Sequence, residues 1–238
     1  YKEGGGVKGL RYGRIVVMAD QDPDGSHIKG LLINFIQNFW PDLLHVPNFV
    51  CQFITPIVKA EKSGGRKMVF FTLPDYVAWK KENNNGKGWK IKYYKGLGTS
   101  SAVEAKAYFA DLNTHLIPFK WEGEVAADAL DMAFRKNRVE DRKAWLSSYD
   151  PELAVDYTVR HMKYSTFINE ELIHFSHADN VRSIPSMVDG LKPSQRKVLF
   201  GCFKRDLKRE IKVAQLAGYV SEHTSYHHGE AALHSTIT

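Results

Sequence analysis

The segment Asp20-Gln21-Asp22-Pro23-Asp24-Gly25 follows directly on the apolar run Ile15-Val16-Val17-Met18-Ala19, and this junction limits what the chain can be. A short β-branched run of this kind reads as a buried strand. Alternation along an extended backbone would put Asp20, Asp22 and Asp24 on one side, where three carboxylates repel one another unless a divalent cation neutralises them. Carboxylate oxygens suit Mg2+, with Mn2+ or Ca2+ as substitutes. After Gly25 come Ser26, His27, Ile28, Lys29 and Gly30, then Leu31, Leu32, Ile33, Phe35, Ile36 and Phe39, a helical apolar stretch stopped by Pro41. Strand, acidic loop and helix make one α/β unit, with the carboxylates at the carboxyl edge of the sheet. Open α/β sheets take their ligands at that edge.

Other readings of the loop are weaker. An EF-hand needs a bidentate Glu at its twelfth position, which counting from Asp20 is Leu31, and a helix where Ile15–Val17 is strand-like. A dehalogenase-type phosphatase also ends a buried strand in two aspartates, but it expects Thr or Val in the place of Asp24. An acidic turn that merely caps the next helix is the plainest alternative.

The 238 residues suffice for one large domain or two modest ones. A formal net charge of +6 favours an anionic partner. Lys192, Arg196 and Lys197, with Lys204, Arg205, Lys208, Arg209 and Lys212, face only Asp206 and Glu210 across a short helical region. Phosphate contact is the better reading of this cluster than a solvated face, because such side chains release counterions from duplex DNA. Cys51 and Cys202 belong to no metal-spaced cluster and read as reduced core thiols of an intracellular protein. No apolar run is long enough to cross a bilayer, so no membrane is expected. The opening residues Tyr1–Leu10 carry no start methionine and read as part of a longer polypeptide.

Up to about residue 115 strand and helix alternate. Strands are predicted over Phe49–Ala60, Met68–Leu73 and Trp89–Tyr94, with a hairpin turn at Ser63-Gly64-Gly65. A helix is predicted from Leu73 through Trp79, a surface loop over Lys81–Gly88, and a helix from Ser100 or Ser101 with Glu104 completing a capping box. Residues 116–160 read as helical and charged. A second, mainly helical unit is predicted from residue 165, with helices Ser165–Phe175, Pro193–Lys204 and Lys212–Tyr219.

The segment from Arg14 to Phe39 resembles the metal-binding half of the Toprim domain of type IIA DNA topoisomerases. Phe53-Ile54-Thr55-Pro56-Ile57-Val58-Lys59, Tyr93-Tyr94-Lys95-Gly96-Leu97-Gly98-Thr99-Ser100, Ser183 through Lys197 (SIPSMVDGLKPSQRK) and Tyr226-His227-His228-Gly229-Glu230 follow in the family's order. Four long motifs in register cover nearly the whole chain, and their wording is similar to the eukaryotic, ATP-dependent topoisomerase II branch. The resemblance implies an α/β fold: a Toprim-type parallel sheet with flanking helices over 1–150, a linker over 151–164, and a truncated, mainly helical winged-helix domain over 165–238.

It further implies transesterification, in which a tyrosine attacks a DNA phosphodiester with divalent metal present. The nucleophilic tyrosine and a metal-binding glutamate are expected outside this chain, so the segment alone should bind DNA without cleaving it. Asp20 would share a metal with that glutamate, and Asp22 and Asp24 would hold a second or alternative position. His27, Lys95, Gly96, Gly98, Lys192, Gln195, Arg196 and Lys197 are the expected DNA contacts, and His227 and His228 are expected beside the scissile phosphate. The resemblance also implies ATP bound by another domain, double-stranded DNA and a second copy as partners, and a nuclear location. The alternative is a self-contained magnesium-dependent phosphatase or nuclease using Asp20, Asp22 and Asp24.

Overall fold

Ile15–Met18 forms strand β1 and Pro23–Phe39 helix α1 in the computed structural model, which describes residues 7–226 and 228–238. Proline at the first helical position leaves no amide unpaired, and Asp22 caps the helix by accepting the Gly25 amide at 2.7 Å. The helix therefore begins inside the acidic segment. Asp20 lies in the loop, Asp22 at the cap and Asp24 in the first turn. The predicted extended alternation of the three aspartates does not form, because proline and the capping aspartate favour a helical turn.

The remaining elements are α2 (Asp42–His45), β2 (Val50–Phe53), β3 (Val58–Lys62), β4 (Lys67–Phe70), α3 (Leu73–Glu82), β5 (Trp89–Tyr93), α4 (Ala102–Ala110), α5 (Leu112–His115) and β6 (Leu116–Lys120). Then come α6 (Glu124–Phe134), α7 (Val139–Ser147), β7 (Met162–Lys163) and α8 (Tyr164–Thr166), which runs through a π-turn at Phe167–Leu172 into α9 (Ile173–Ser183). Three further helices, α10 (Pro193–Lys204), α11 (Val213–Thr224) and α12 (Glu230–Ile237), complete the chain. Two compact units divide between Ser176 and His177.

In the first unit a four-stranded sheet has the order β1-β2-β6-β7. It is mixed: β1 pairs with β2 and β6 with β7 in parallel, while β2 and β6 run antiparallel. The expected parallel pairing is present in β1–β2 and β6–β7; β6, which enters from the short α5, adds one antiparallel pairing between them. β1 is an edge strand rather than a buried one, with Val17 buried and Val16 and Met18 more than a third exposed. Helix α1 lays Ile33 and Ile36 into the core with Leu130, Phe167, Ile168 and Leu172, and turns Ile28, Leu31, Phe35 and Phe39 outward.

A second, antiparallel sheet has the order β4-β3-β5 and is covered by Tyr76 and Trp79 of α3. The predicted strand Phe49–Ala60 is thus two strands in two sheets, interrupted around Pro56, which has no amide to give a ladder. The β3–β4 hairpin forms as predicted, with Gly64 and Gly65 at φ +101° and +85°. Strand β6 lies hidden in a stretch that reads as helical, because Leu116 and Pro118 blur the alternation of buried Ile117 and Phe119.

The predicted start of the second unit at residue 165 falls within the first unit's core. Tyr164, Phe167 and Ile168 are at most 1% exposed there. In the second unit α10, α11 and α12 pack around Val198, Leu216, Ala217, Val220 and Leu233. A Cβ on Gly201 would lie 2.6 Å from Val220 Cγ2, so glycine is what lets α10 approach α11. Among the described residues this unit contains no strand. Replacing the fully buried Phe167 by Ala should cost about 3–5 kcal/mol, read as a lower urea midpoint with unchanged slope.

Candidate metal centre and nucleic-acid interface

The acidic loop is held from both sides by backbone amides. Asp22 Oδ1 accepts from Gly25, and Asp20 Oδ1 accepts from the amide of Leu97 at 2.7 Å. The second contact brings the Lys95-Gly96-Leu97-Gly98 loop, 77 residues away in sequence, onto the carboxyl end of β1. The approach is tight. A Cβ on Gly96 would sit 2.6–2.7 Å from the carboxyl atoms of Asp20, and one on Gly25 would sit 2.0 Å from the Asp20 carbonyl oxygen. Both glycines are therefore required by contact. Lys95 is exposed beside them, and Gly98 has open space around it.

Among the described residues no group of three or more His, Cys, Asp or Glu converges as a complete metal cage. The structure does not bring Asp20, Asp22 and Asp24 together as one three-carboxylate site; each is a hard oxygen donor of the kind a divalent cation takes. A cation held here would need donors beyond these three.

Glu104 anchors the glycine loop from its far side. It completes the predicted capping box with Ser101, and it accepts from Tyr94 at 2.5 Å, Lys92 at 2.9 Å and Lys59 at 3.3 Å. Burial pushes its carboxyl up, but hydrogen bonds from Tyr94, Lys92 and Ser101 outweigh that and hold it below the usual glutamate range. Burial and then the bond to Glu104 push the Tyr94 phenol well up, keeping it a neutral donor. The sequence revealed the cap but not this convergence, since Lys59 and Lys92 come from the neighbouring strands β3 and β5 and Tyr94 follows the end of β5.

The His27 ring stacks on Phe175 at 3.9 Å between centroids and 6° between planes, which ties α1 to α9. Lys29, Gln52, Tyr157 and Glu171, absent from the sequence-based candidates, meet behind the acidic loop. One signal was available: Lys29 lies four residues after Gly25 and four before Ile33, on the buried stripe of α1.

In the second unit the expected DNA contacts are partly engaged within the chain. Arg196 grips Asp189 with two nitrogens at 2.8 and 3.1 Å, an ion pair that depresses the Asp189 pKa. The guanidinium thus orders the Ser186–Lys192 loop, so its expected free phosphate clamp is closed on a carboxylate here. Gln195 Oε1 accepts the Lys192 amide at the start of α10. Lys197 reaches the Ser225 carbonyl at 3.4 Å and lies over the Tyr226 ring. His228 meets the Tyr226 ring edge-on at 5.7 Å. The expectation for His227 lies outside the described residues.

Comparison with known proteins decides the family. Residues 53–180 match the model of the C-terminal associated domain of TOPRIM, and residues 182–238 match the model for the A-type subunit of DNA gyrase/topoisomerase IV. The chain belongs to the type IIA DNA topoisomerases. It is 55% identical to DNA topoisomerase 2 of Plasmodium falciparum over 97% of its length, 56% to that of Arabidopsis thaliana over 97%, and 54% to DNA topoisomerase 2-alpha of Homo sapiens over all of it. It spans about 16% of each of these relatives. The crystal structure of the Plasmodium falciparum topoisomerase II DNA-binding, cleavage and re-ligation domain matches with a TM-score of 0.80 at 55% identity, over 97% of this chain and 31% of that one. The similarity to the eukaryotic branch is as expected from the motifs. The phosphatase or nuclease alternative finds no support among these type IIA topoisomerase relatives.

Two outcomes test the loop contacts. Gly96→Ala should cost about 1–3 kcal/mol through overpacking and abolish exchange protection of the Leu97 amide, measured by hydrogen–deuterium exchange. Glu104 has a depressed folded-state pKa, so its stabilisation is complete above the unfolded value of about 4.3 and is lost as pH falls further. The difference in thermal midpoint between wild type and Glu104→Gln should therefore be largest near neutral pH and shrink towards pH 3.

Proposed function

We propose that this chain is part of the DNA cleavage and religation core of an ATP-dependent type II DNA topoisomerase. The observation that carries the reading is the Asp20–Leu97 contact, which docks the Lys95–Gly98 loop on the acidic loop at the sheet's carboxyl edge. A single surface thereby offers carboxylates for a cation, an exposed lysine and a glycine backbone that a DNA strand can approach closely.

In the proposed reaction a tyrosine hydroxyl, supplied from outside Tyr1–Thr238, attacks a DNA phosphorus. The bond from phosphorus to the 3′ oxygen breaks. The tyrosine loses its proton, the 3′ oxygen gains one, and the enzyme holds a phosphotyrosyl link until the reverse step reseals the strand. Asp20, Asp22 and Asp24 would hold Mg2+, or Mn2+ or Ca2+ in its place, with Asp20 sharing the ion with a glutamate from another part of the polypeptide. Bound there, the cation supplies positive charge against the charge that grows on the phosphate and the leaving oxygen. His228, and His227 beside it, would polarise a phosphate oxygen.

Lys192, Arg196, Lys197 and the basic residues from Lys204 to Lys212 would meet backbone phosphates. Their intrachain partners support rather than oppose this role. Arg196–Asp189 and Lys208–Asp206 are exposed pairs, which contribute little to stability and yield readily to a phosphate. Gln195 would act by setting the start of α10, and His27 by holding α1 against Phe175. ATP would bind to another domain, the working enzyme would be a homodimer, and its location would be the nucleus. Among the described residues no helix is long and apolar enough to cross a membrane.

Decatenation of interlinked DNA circles by the full-length protein, with ATP and Mg2+, tests the reading. Losing a metal-holding carboxylate removes several kcal/mol of transition-state stabilisation, so Asp22→Asn should lower the rate roughly 100-fold or more with DNA binding retained. A rate unchanged by Asp22→Asn would make the acidic loop structural.

A further inference from the structure

Lys29 lies on the buried stripe of α1 and is 2% exposed. Its ammonium pairs with Glu171 and donates to Gln52 Oε1 at 2.7 Å. Glu171 Oε1 also takes the Ser26 hydroxyl at 2.7 Å, and Oε2 takes the Tyr157 phenol at 3.3 Å. Burial and the Glu171 charge push the Tyr157 phenol well above its ordinary pKa, so it remains a donor. Two ends of this network reach the acidic loop. Ser26 Oγ lies 3.3 Å from the Asp22 carbonyl oxygen, and Gln21 Nε2 lies 3.5 Å from the Tyr157 oxygen.

The acidic loop is thus tied, directly at Ser26 and through Tyr157 at Gln21, to one largely buried carboxylate. That carboxylate is carried by a π-turn, a local widening of the helix that is frequent at functional sites. Stability alone gives no reason for such a pair, since well-packed apolar side chains of similar volume hold a core at least as well as a buried ion pair. Directional bonds from one carboxylate to three donors do what apolar packing cannot: they set the register of the first turn of α1. We infer that Lys29, Glu171 and Tyr157 are positioning residues that place the Asp22 and Asp24 carboxylates for a divalent cation. This rests on the metal reading proposed above.

The test uses the full-length protein carrying Glu171→Gln, the milder Tyr157→Phe, or the pair Lys29→Met with Glu171→Gln. Mn2+ binding without DNA is followed by the electron paramagnetic resonance of free Mn2+, the Mg2+ midpoint by DNA cleavage, and the fold by thermal unfolding in EDTA. Direct partners of metal ligands are worth about 10–100-fold in metal affinity, and Glu171 and Tyr157 act one bond further out, so Glu171→Gln and Tyr157→Phe should raise both the Mn2+ dissociation constant and the Mg2+ midpoint by roughly 10-fold. The double variant should regain the thermal midpoint but not the metal affinity.

Wild-type Mn2+ affinity in Tyr157→Phe and in any folded Glu171→Gln, or affinity that returns together with stability in the double variant, would overturn the inference and leave the network structural. If Glu171→Gln does not fold, Tyr157→Phe decides. Asp22→Asn separates the two failures. Weakened Mn2+ binding in Asp22→Asn but not in the network variants sinks the positioning role alone; full affinity in Asp22→Asn sinks the metal reading and this inference with it.

Discussion

A buried lysine sets the terms for the first unit. An ammonium removed from water costs several kcal/mol unless a counter-charge and hydrogen bonds meet it, and Lys29 finds both in Glu171 and Gln52. These partners come from α1, the π-turn after α8 and the central strand β2. None of the three can shift without stranding a charge in the core. The apolar contacts of Ile33, Ile36, Phe167 and Leu172 supply the driving force for packing, but they tolerate sliding. The ion pair removes that freedom at the end of α1 that carries the aspartates.

The second constraint is steric. Asp20 is enclosed by two glycines, Gly25 after it in sequence and Gly96 across the fold, and neither place has room for a methyl group. Gly25 closes on the Asp20 main chain and Gly96 on its carboxylate, which lets a main-chain amide, that of Leu97, rather than a side chain hold the carboxylate. On the far side of the glycine loop Glu104 gathers two lysines and a tyrosine, so the loop is anchored at both ends. In the second unit the electrostatics are looser. Exposed pairs such as Arg196–Asp189 order a loop without committing much free energy, which is compatible with the phosphate contact proposed for Arg196.

The amino-acid sequence by itself determined the local signals: the strand before the acidic run, the helical stretch after Gly25 that stops before Pro41, the Gly64-Gly65 hairpin, the Ser101–Glu104 capping box and the helices at Pro193 and Val213. Each depends on residues within a few positions of one another, where propensity and capping act directly. The family was legible too, because four long motifs stand in order. What only the tertiary structure decided depends on distant partners. The split of Phe49–Ala60 between two sheets, the antiparallel entry of β6, and the placing of Phe167 and Ile168 in the first core follow from which surfaces bury together. The same holds at the site. Asp20 against Leu97 and Lys29 against Glu171 join positions 77 and 142 residues apart, and no local pattern encodes a contact whose energy arises only when the chain closes around it.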